Sequence, residues 1–150
     1  DHDVTGIRLA APLHDVGKIG IPDSILLSGD RLSDDDFEVM KGHCVIGADL
    51  LASDDVPLLN LAAEIALSHH ERWDGAGYPL RQRGEEIPLS GRIVAVADTF
   101  DALTHARPYK RAWSVGDAVA EIEALAGKAF DPDVVAAFGE VLASDAEAAA

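Results

Sequence analysis

The sequence contains six histidines, and four of them fall at or inside predicted helices whose other inward-facing residues are aliphatic. Two aspartates share this setting. Burying several titratable groups without partners is costly, whereas one metal centre compensates imidazoles and carboxylates together. The set therefore predicts a metal centre with the ligands His14, Asp15, His43, His69, His70 and Asp98.

The donor types narrow both the metal and the reaction. Imidazole nitrogens and carboxylate oxygens without a thiolate suit iron, manganese, zinc or similar ions. Six ligands are too many for one catalytic ion, but they suit two ions bridged by a carboxylate. Two ions about 3.5–4 Å apart lower the pKa of a bridging water and hold both oxygens of a phosphoryl displacement. The chemistry predicted is phosphoester hydrolysis.

Helices must position these ligands, because apolar residues recur at helical spacing and no segment is typical of a strand. N-cap residues are predicted at Ser33, Ser114 and Asp131. The sequence predicts an all-α bundle of about six main helices, with an extra turn near 23–27. The six cover about 3–15, 34–51, 58–70, 89–103, 115–127 and 132 onward.

The ligands fall at particular places on these helices. His14 and Asp15 are expected at the C-terminal end of the first helix, and His69 and His70 at the end of the third. The segment from Glu71 to Pro88 is rich in glycine and is predicted to be a long, ordered loop.

The composition indicates some classes of protein and argues against others. With 150 residues, 48% of them hydrophobic, one domain is expected, with an ordered core of about residues 3–143. A net charge of −15 with only 12 Lys and Arg argues against binding a DNA or RNA polymer. The sequence has no leader and no long apolar run, so we expect a cytoplasmic protein without membrane insertion.

Two motifs, in this order, carry a family resemblance. His14–Pro22 reads HDVGKIGIP, and His69–Pro79 reads HHERWDGAGYP. Together they resemble the signature of the HD-GYP domains of bacterial signalling proteins. Further blocks agree along nearly the whole chain: Met40-Lys41 with His43 and Gly47, Arg92–Asp98, and Asp101–Thr104 leading to Arg107-Pro108-Tyr109.

The resemblance implies an HD-type helical bundle that hydrolyses cyclic di-GMP to pGpG, and in some members to GMP. It implies two divalent ions, iron or manganese, with Asp15 as the bridging carboxylate and a metal-bridging hydroxide as nucleophile. It also implies that Lys18, Tyr78 and Arg107 contact the substrate. Lys18 would stabilise charge that develops at the scissile phosphate, and Arg107 offers a fork of donors.

The sequence departs from the family pattern in two ways. Many members have proline after the third-motif histidine, where this chain has Cys44, which we expect to be a small buried residue with little effect on the metals. Members also begin with an upstream helix that in some supplies a glutamate and a histidine to a third ion. This sequence lacks that helix, so either the protein was trimmed, which could leave an open flank and weaken its activity, or it is a two-metal form. A third ion would need the missing helix, and we expect a sensor or receiver domain upstream.

Two alternatives stay open. The chain could be a catalytically weak cyclic di-GMP receptor or an interaction module that binds diguanylate cyclase (GGDEF) domains through Gly77-Tyr78-Pro79. It could instead be an HD phosphohydrolase acting on another nucleotide. All six ligand positions are filled, and the Gly-Tyr-Pro loop is present. Both features favour cyclic di-GMP hydrolysis.

Overall fold

The structure is a computed structural model, and it describes residues 4–106 and 111–148. Within these ranges the chain forms eight α-helices and no β-sheet, with one isolated bridge between Ala126 and Phe130. The all-α prediction is confirmed. The helices are α1 (Val4–Ala10), α2 (Asp23–Leu26), α3 (Asp34–Lys41), α4 (His43–Leu51), α5 (Pro57–Ser68), α6 (Leu89–Thr104), α7 (Val115–Ala124) and α8 (Pro132–Ala148).

The first predicted helix ends earlier than expected. Regular α-helix stops at Ala10, and a 3-10 turn at Ala11–Leu13 contains Pro12 at its start. Proline has no backbone N–H, so a tight turn that does not need this donor suits it. His14 and Asp15 consequently lie between two 3-10 segments, the second being Val16–Gly20.

The second predicted helix is split into α3 and α4 at Gly42. The N–H of Gly42 donates to the carbonyl of Val39, three residues back, and the carbonyl of Met40 accepts a hydrogen bond from the imidazole of His43. His43 therefore begins α4 instead of lying inside one long helix. Counting this pair as one, the six predicted main helices are all present.

Two hydrophobic clusters hold the helices together, and α6 contributes to both. The first joins α1, α4, α5 and α6 around residues that include Ile65 and Val94, and the second joins α6, α7 and α8 around Val96, Ile122 and Phe130. Burying a side chain of this size stabilises the fold by about 1.5–3 kcal/mol. Since α6 is fixed from both sides, its Asp98 has a defined place.

The predicted capping residues act as caps. Ser33 Oγ accepts from the N–H of Asp36 at 3.1 Å, and Ser114 Oγ accepts from the N–H of Asp117 at 3.1 Å. Asp131 caps α8, which extends to Ala148 beyond the expected core. No helix of the described ranges is long and apolar enough to cross a membrane.

Candidate metal centre

The carboxylate of Asp15 lies at the centre of the predicted ligand set. Its Oδ1 is 3.5 Å from Nε2 of His43 and 3.9 Å from Nε2 of His69, and its Oδ2 is 3.4 Å from Nε2 of His14. Oδ1 of Asp98 is 3.6 Å from Nε2 of His14. The fold thus brings together five predicted ligands from four separate segments of the chain.

Three of the imidazoles are oriented by the backbone. In each, Nδ1 faces a carbonyl oxygen of the preceding turn, at 2.8 Å in His14, 2.7 Å in His43 and 3.0 Å in His69. A carbonyl only accepts, so Nδ1 carries a hydrogen, and in the neutral ring Nε2 keeps its lone pair. This is the arrangement in which a histidine binds a metal through Nε2.

The sixth predicted ligand, His70, lies on the side of the centre that faces the long loop. The centroid of its ring is 4.0 Å from that of His69, 5.1 Å from that of His43 and 4.8 Å from that of Tyr78. It therefore connects the buried ligands with the loop.

The donor atoms form two overlapping groups, within each of which all atoms lie inside 4.8 Å of one another. One group contains His14, Asp15 and His69, and the other contains His43, Cys44, His69 and His70. Three buried donor atoms, His14 Nε2, Asp15 Oδ1 and His69 Nε2, have no hydrogen-bond partner in the described part of the chain. An unpaired buried polar atom costs about 1–3 kcal/mol, and a cation would satisfy all three. These residues fit a metal ion.

Electrostatics divides the histidines into two kinds. The carboxylates of Asp15 and Asp98 raise the pKa of His14 to about 10. Burial lowers the pKa of His69 to about 4 and that of His70 to about 3. At neutral pH the imidazoles of His69 and His70 are neutral and could bind a metal directly, whereas a metal would have to displace a proton from His14.

Asp15 also contacts the predicted catalytic lysine. Nζ of Lys18 is 2.5 Å from Oδ2 of Asp15, and the lysine side chain is partly exposed. Burial raises the pKa of Asp15, but the interactions with His14 and Lys18 outweigh burial and leave this pKa well below its usual range. The structure therefore places Lys18 at the accessible edge of the centre.

A close backbone contact joins α4 to the segment that follows His14 and Asp15. A Cβ atom on Gly17 would lie 1.9 Å from the carbonyl oxygen of His43 and 2.4 Å from the backbone nitrogen of Gly47. Only glycine allows the two backbones to approach so closely. Nothing local in the sequence indicates this contact, because it involves residues about thirty positions apart.

A cavity of about 500 Å³ adjoins the centre at His70. Its lining includes the cations Lys41, Arg72 and Arg81 and the aromatic rings of Phe37 and Tyr78. Nζ of Lys41 lies 4.9 Å from the ring centroid of Phe37 and 5.5 Å from that of Tyr78, which is cation–π distance. Sequence reasoning missed Phe37 and Lys41 as site residues, although their spacing of four on a helix places them on one face.

The long loop is fixed over this cavity by a buried carboxylate. Oε1 of Glu71 accepts from the N–H groups of Leu80 (2.6 Å) and Arg81 (3.1 Å), and the N–H of Tyr78 donates to the carbonyl of His70 (3.2 Å). These bonds fold the loop back towards the predicted ligands and place Tyr78 beside His70. Arg107 lies outside the described residues, so its role stays a prediction.

The chain is similar to known proteins both in sequence and in fold. The family model described as "HD domain" matches residues 1–134. A cyclic di-GMP phosphodiesterase of Thermotoga maritima is 56% identical over 135 residues, which are 90% of this chain and 37% of that protein. The 3'3'-cGAMP-specific phosphodiesterase 2 of Vibrio cholerae is 46% identical, over 86% of this chain and 25% of that protein.

One solved structure, of a cyclic GMP-AMP-specific phosphodiesterase from Vibrio cholerae, matches with a TM-score of 0.65 at 24% identity. The match covers 91% of this chain and 37% of that one, and it concerns the fold. In all these comparisons the chain spans little more than a third of the other protein at most.

Proposed function

This chain belongs to the HD domain family, as its HD-GYP motifs predicted, and we propose that it is the catalytic domain of a metal-dependent cyclic di-GMP phosphodiesterase. The products proposed are pGpG, GMP or both. The observation that carries the proposal is the convergence of imidazole and carboxylate donors on Asp15, directly beside a cavity with cationic and aromatic walls.

The cavity suits a cyclic dinucleotide because it combines two kinds of contact. Lys41, Arg72 and Arg81 line the cavity, where Lys41 pairs with Glu38 and Arg72 with Asp74, so a phosphate would compete with these carboxylates for the two cations. Phe37 and Tyr78 offer ring faces for stacking a guanine base. A ligand placed here would have a phosphate close to His70 and so to the metal ligands.

We propose that His14, Asp15, His43, His69, His70 and Asp98 hold two divalent ions, iron or manganese, with Asp15 shared between them. HD domain phosphodiesterases depend on metal, which when bound activates water for attack and neutralises phosphate charge. The number and identity of the ions are part of the proposal. A third ion would need ligands from an upstream helix.

The remaining roles belong to side chains of this protein. Lys18, at the accessible edge of the centre, would donate to a phosphate oxygen as negative charge develops there. Burial raises the pKa of Tyr78, so its hydroxyl stays protonated and can donate to the ligand. Arg107 would add a bidentate contact to phosphate.

The test is hydrolysis of cyclic di-GMP by two matched histidine variants. His69→Ala removes a buried donor and should abolish both bound metal and hydrolysis. His105→Ala removes an exposed histidine whose ring contacts Asp101 and none of the predicted ligands, and should leave both unchanged. Hydrolysis at the wild-type rate by His69→Ala would show that the metal centre is not the catalytic site.

A second candidate substrate is cyclic GMP-AMP, because a relative with 46% identity is named for it. Both dinucleotides offer two phosphates and two purines to the same cavity. Measuring kcat/KM for each on the same protein separates the two. A higher value for cyclic GMP-AMP would overturn the substrate assignment but leave the reaction class intact.

We also propose an additional domain. The chain spans 37% of its Thermotoga relative, so an additional regulatory domain upstream is proposed.

A diguanylate cyclase (GGDEF) domain is proposed as a partner through Gly77-Tyr78-Pro79, beside which Leu80 is 55% exposed. The compartment proposed is the cytoplasm. Loss of GGDEF binding in Leu80→Asp, with hydrolysis retained, would support this contact, and unchanged binding would contradict it.

A further inference from the structure

Cys44 is the second residue of α4 and is completely buried. Its Sγ is 3.5 Å from Nε2 of His43 and lies within 4.8 Å of donor atoms of His69 and His70. The sequence predicted a small buried residue with little effect on the metals. Cys44 is buried as predicted, and its sulfur lies among the nitrogen donors.

A second observation shows that a ligand belongs in this space. His69 is 2% exposed, and its Nε2 has no hydrogen-bond partner among the described residues although it points towards the same donors. An unpaired buried nitrogen is costly. The sulfur of Cys44 therefore lies beside a donor that requires a partner, rather than in a purely apolar part of the core.

The spacing of the donors is close to that of a coordination shell. Two ligands on one ion are separated by at most about 4.6 Å, twice a zinc–sulfur bond of about 2.3 Å. The four donors of His43, Cys44, His69 and His70 all lie within 4.8 Å of one another. This spacing is compatible with one ion that all four side chains approach after adjustment of their rotamers.

We propose that Cys44 supplies a thiolate ligand to the ion held by His43, His69 and His70. This inference rests on the metal centre of the proposed function and changes the chemistry of one of its two positions. When the sulfur–metal bond forms, the thiol proton is released to solvent, with no change in oxidation state. A nitrogen and sulfur donor set favours iron, cobalt or zinc over manganese at this position.

The test uses cobalt(II) alone as the probe, added without oxygen to the wild-type chain, Cys44→Ser and Cys44→Ala. Bound cobalt gives visible d–d bands, and a cobalt–thiolate bond adds a sulfur-to-metal charge-transfer band in the near ultraviolet. Because the chain has one cysteine, this band can come only from Cys44. We expect both kinds of band in the wild type and only the visible bands in the two variants.

The outcomes separate this inference from the metal centre itself. Wild-type protein with visible bands but no near-ultraviolet band would overturn the thiolate ligand and leave the metal centre standing. Wild-type protein that binds no cobalt would contradict the metal centre, and with it the proposed function. The wild-type spectrum decides between these results even if a variant fails to fold.

Metal preference gives an independent readout. Removing one ligand should weaken zinc binding about 10-fold or more, while manganese, which prefers oxygen and nitrogen donors, should bind with nearly unchanged affinity. Competition against a chelator measures both affinities on Cys44→Ala and wild type. An equal change for the two metals would show that Cys44 acts only through packing.

Discussion

Replacing Gly17 with alanine tests how the fold holds Asp15 beside His43. The added Cβ would lie 1.9 Å from the carbonyl oxygen of His43, 2.4 Å from the backbone nitrogen of Gly47 and 2.9 Å from its Cα. All three atoms belong to the backbone of α4. No side-chain rotation can remove the clash, so the 3-10 segment Val16–Gly20 must move away from α4.

The size of the movement follows from these distances. Opening the 1.9 Å contact to 3.0 Å, below which Cβ contacts are essentially not seen, requires about 1.1 Å. Metal–ligand distances tolerate deviations of only about 0.2 Å, and a misplacement of about 1 Å in a catalytic site can cost 10²-fold in rate. Overpacking of this kind also costs about 1–3 kcal/mol of folding free energy. We therefore expect a folded but less stable protein with little metal and at least about 100-fold slower hydrolysis.

Gly20→Ala is the matched control, since it lies in the same 3-10 segment. Its Cβ would meet only the side chain of Ile46, at 2.9 Å from Cδ1 and 3.0 Å from Cγ2, and a side chain can adjust by rotation where a backbone cannot. Metal content by mass spectrometry, cyclic di-GMP hydrolysis and urea unfolding are measured for both variants. Wild-type metal content in folded Gly17→Ala would refute the reasoning that this backbone contact positions Asp15.

Three further predictions concern the ligands and the loop. Asp15→Ala should lose both metal and hydrolysis, whereas Lys18→Ala should keep its metal but turn over more slowly; equal metal loss in both would contradict their separate roles. Because neighbouring carboxylates raise the pKa of His14 to about 10, metal binding must displace its proton, so affinity should increase as the pH rises towards 10. Chelator competition at several pH values checks this, and a flat profile would be inconsistent with it. Glu71→Ala should raise KM for cyclic di-GMP more than it changes metal content, because two loop N–H groups lose their acceptor; an unchanged KM would show that the loop is held otherwise.

The helices were predictable because their signals are local. Apolar spacing identified each long helix, and Ser33, Ser114 and Asp131 were identified as caps from their own neighbours. The helix break at Gly42 was not predicted. It involves a hydrogen bond from the imidazole of His43 to the backbone carbonyl of Met40, which apolar spacing does not reveal. The end of α1 at Ala10 was likewise not predicted, because apolar spacing does not distinguish α-helix from the 3-10 turn that follows at Ala11–Leu13.

The proposed ligand set could be named from the sequence because chemistry and motif select the same residues. What the sequence could not show is proximity between distant residues: Gly17 against α4, Lys41 between two rings, and Cys44 among the histidines. The sequence predicted that Cys44 would have little effect on the metals. Only the three-dimensional structure shows that its side chain lies close to the nitrogen donors of the proposed metal centre.

The most direct measurement is cyclic di-GMP hydrolysis by this chain purified without chelator, with metal content determined on the same sample. The metal centre and its adjoining cavity predict that turnover rises in proportion to metal occupancy, disappears with chelator and returns when iron(II) or manganese(II) is added. Fully metal-loaded protein that binds cyclic di-GMP but leaves it intact, even at enzyme concentrations equal to substrate, would contradict a catalytic role.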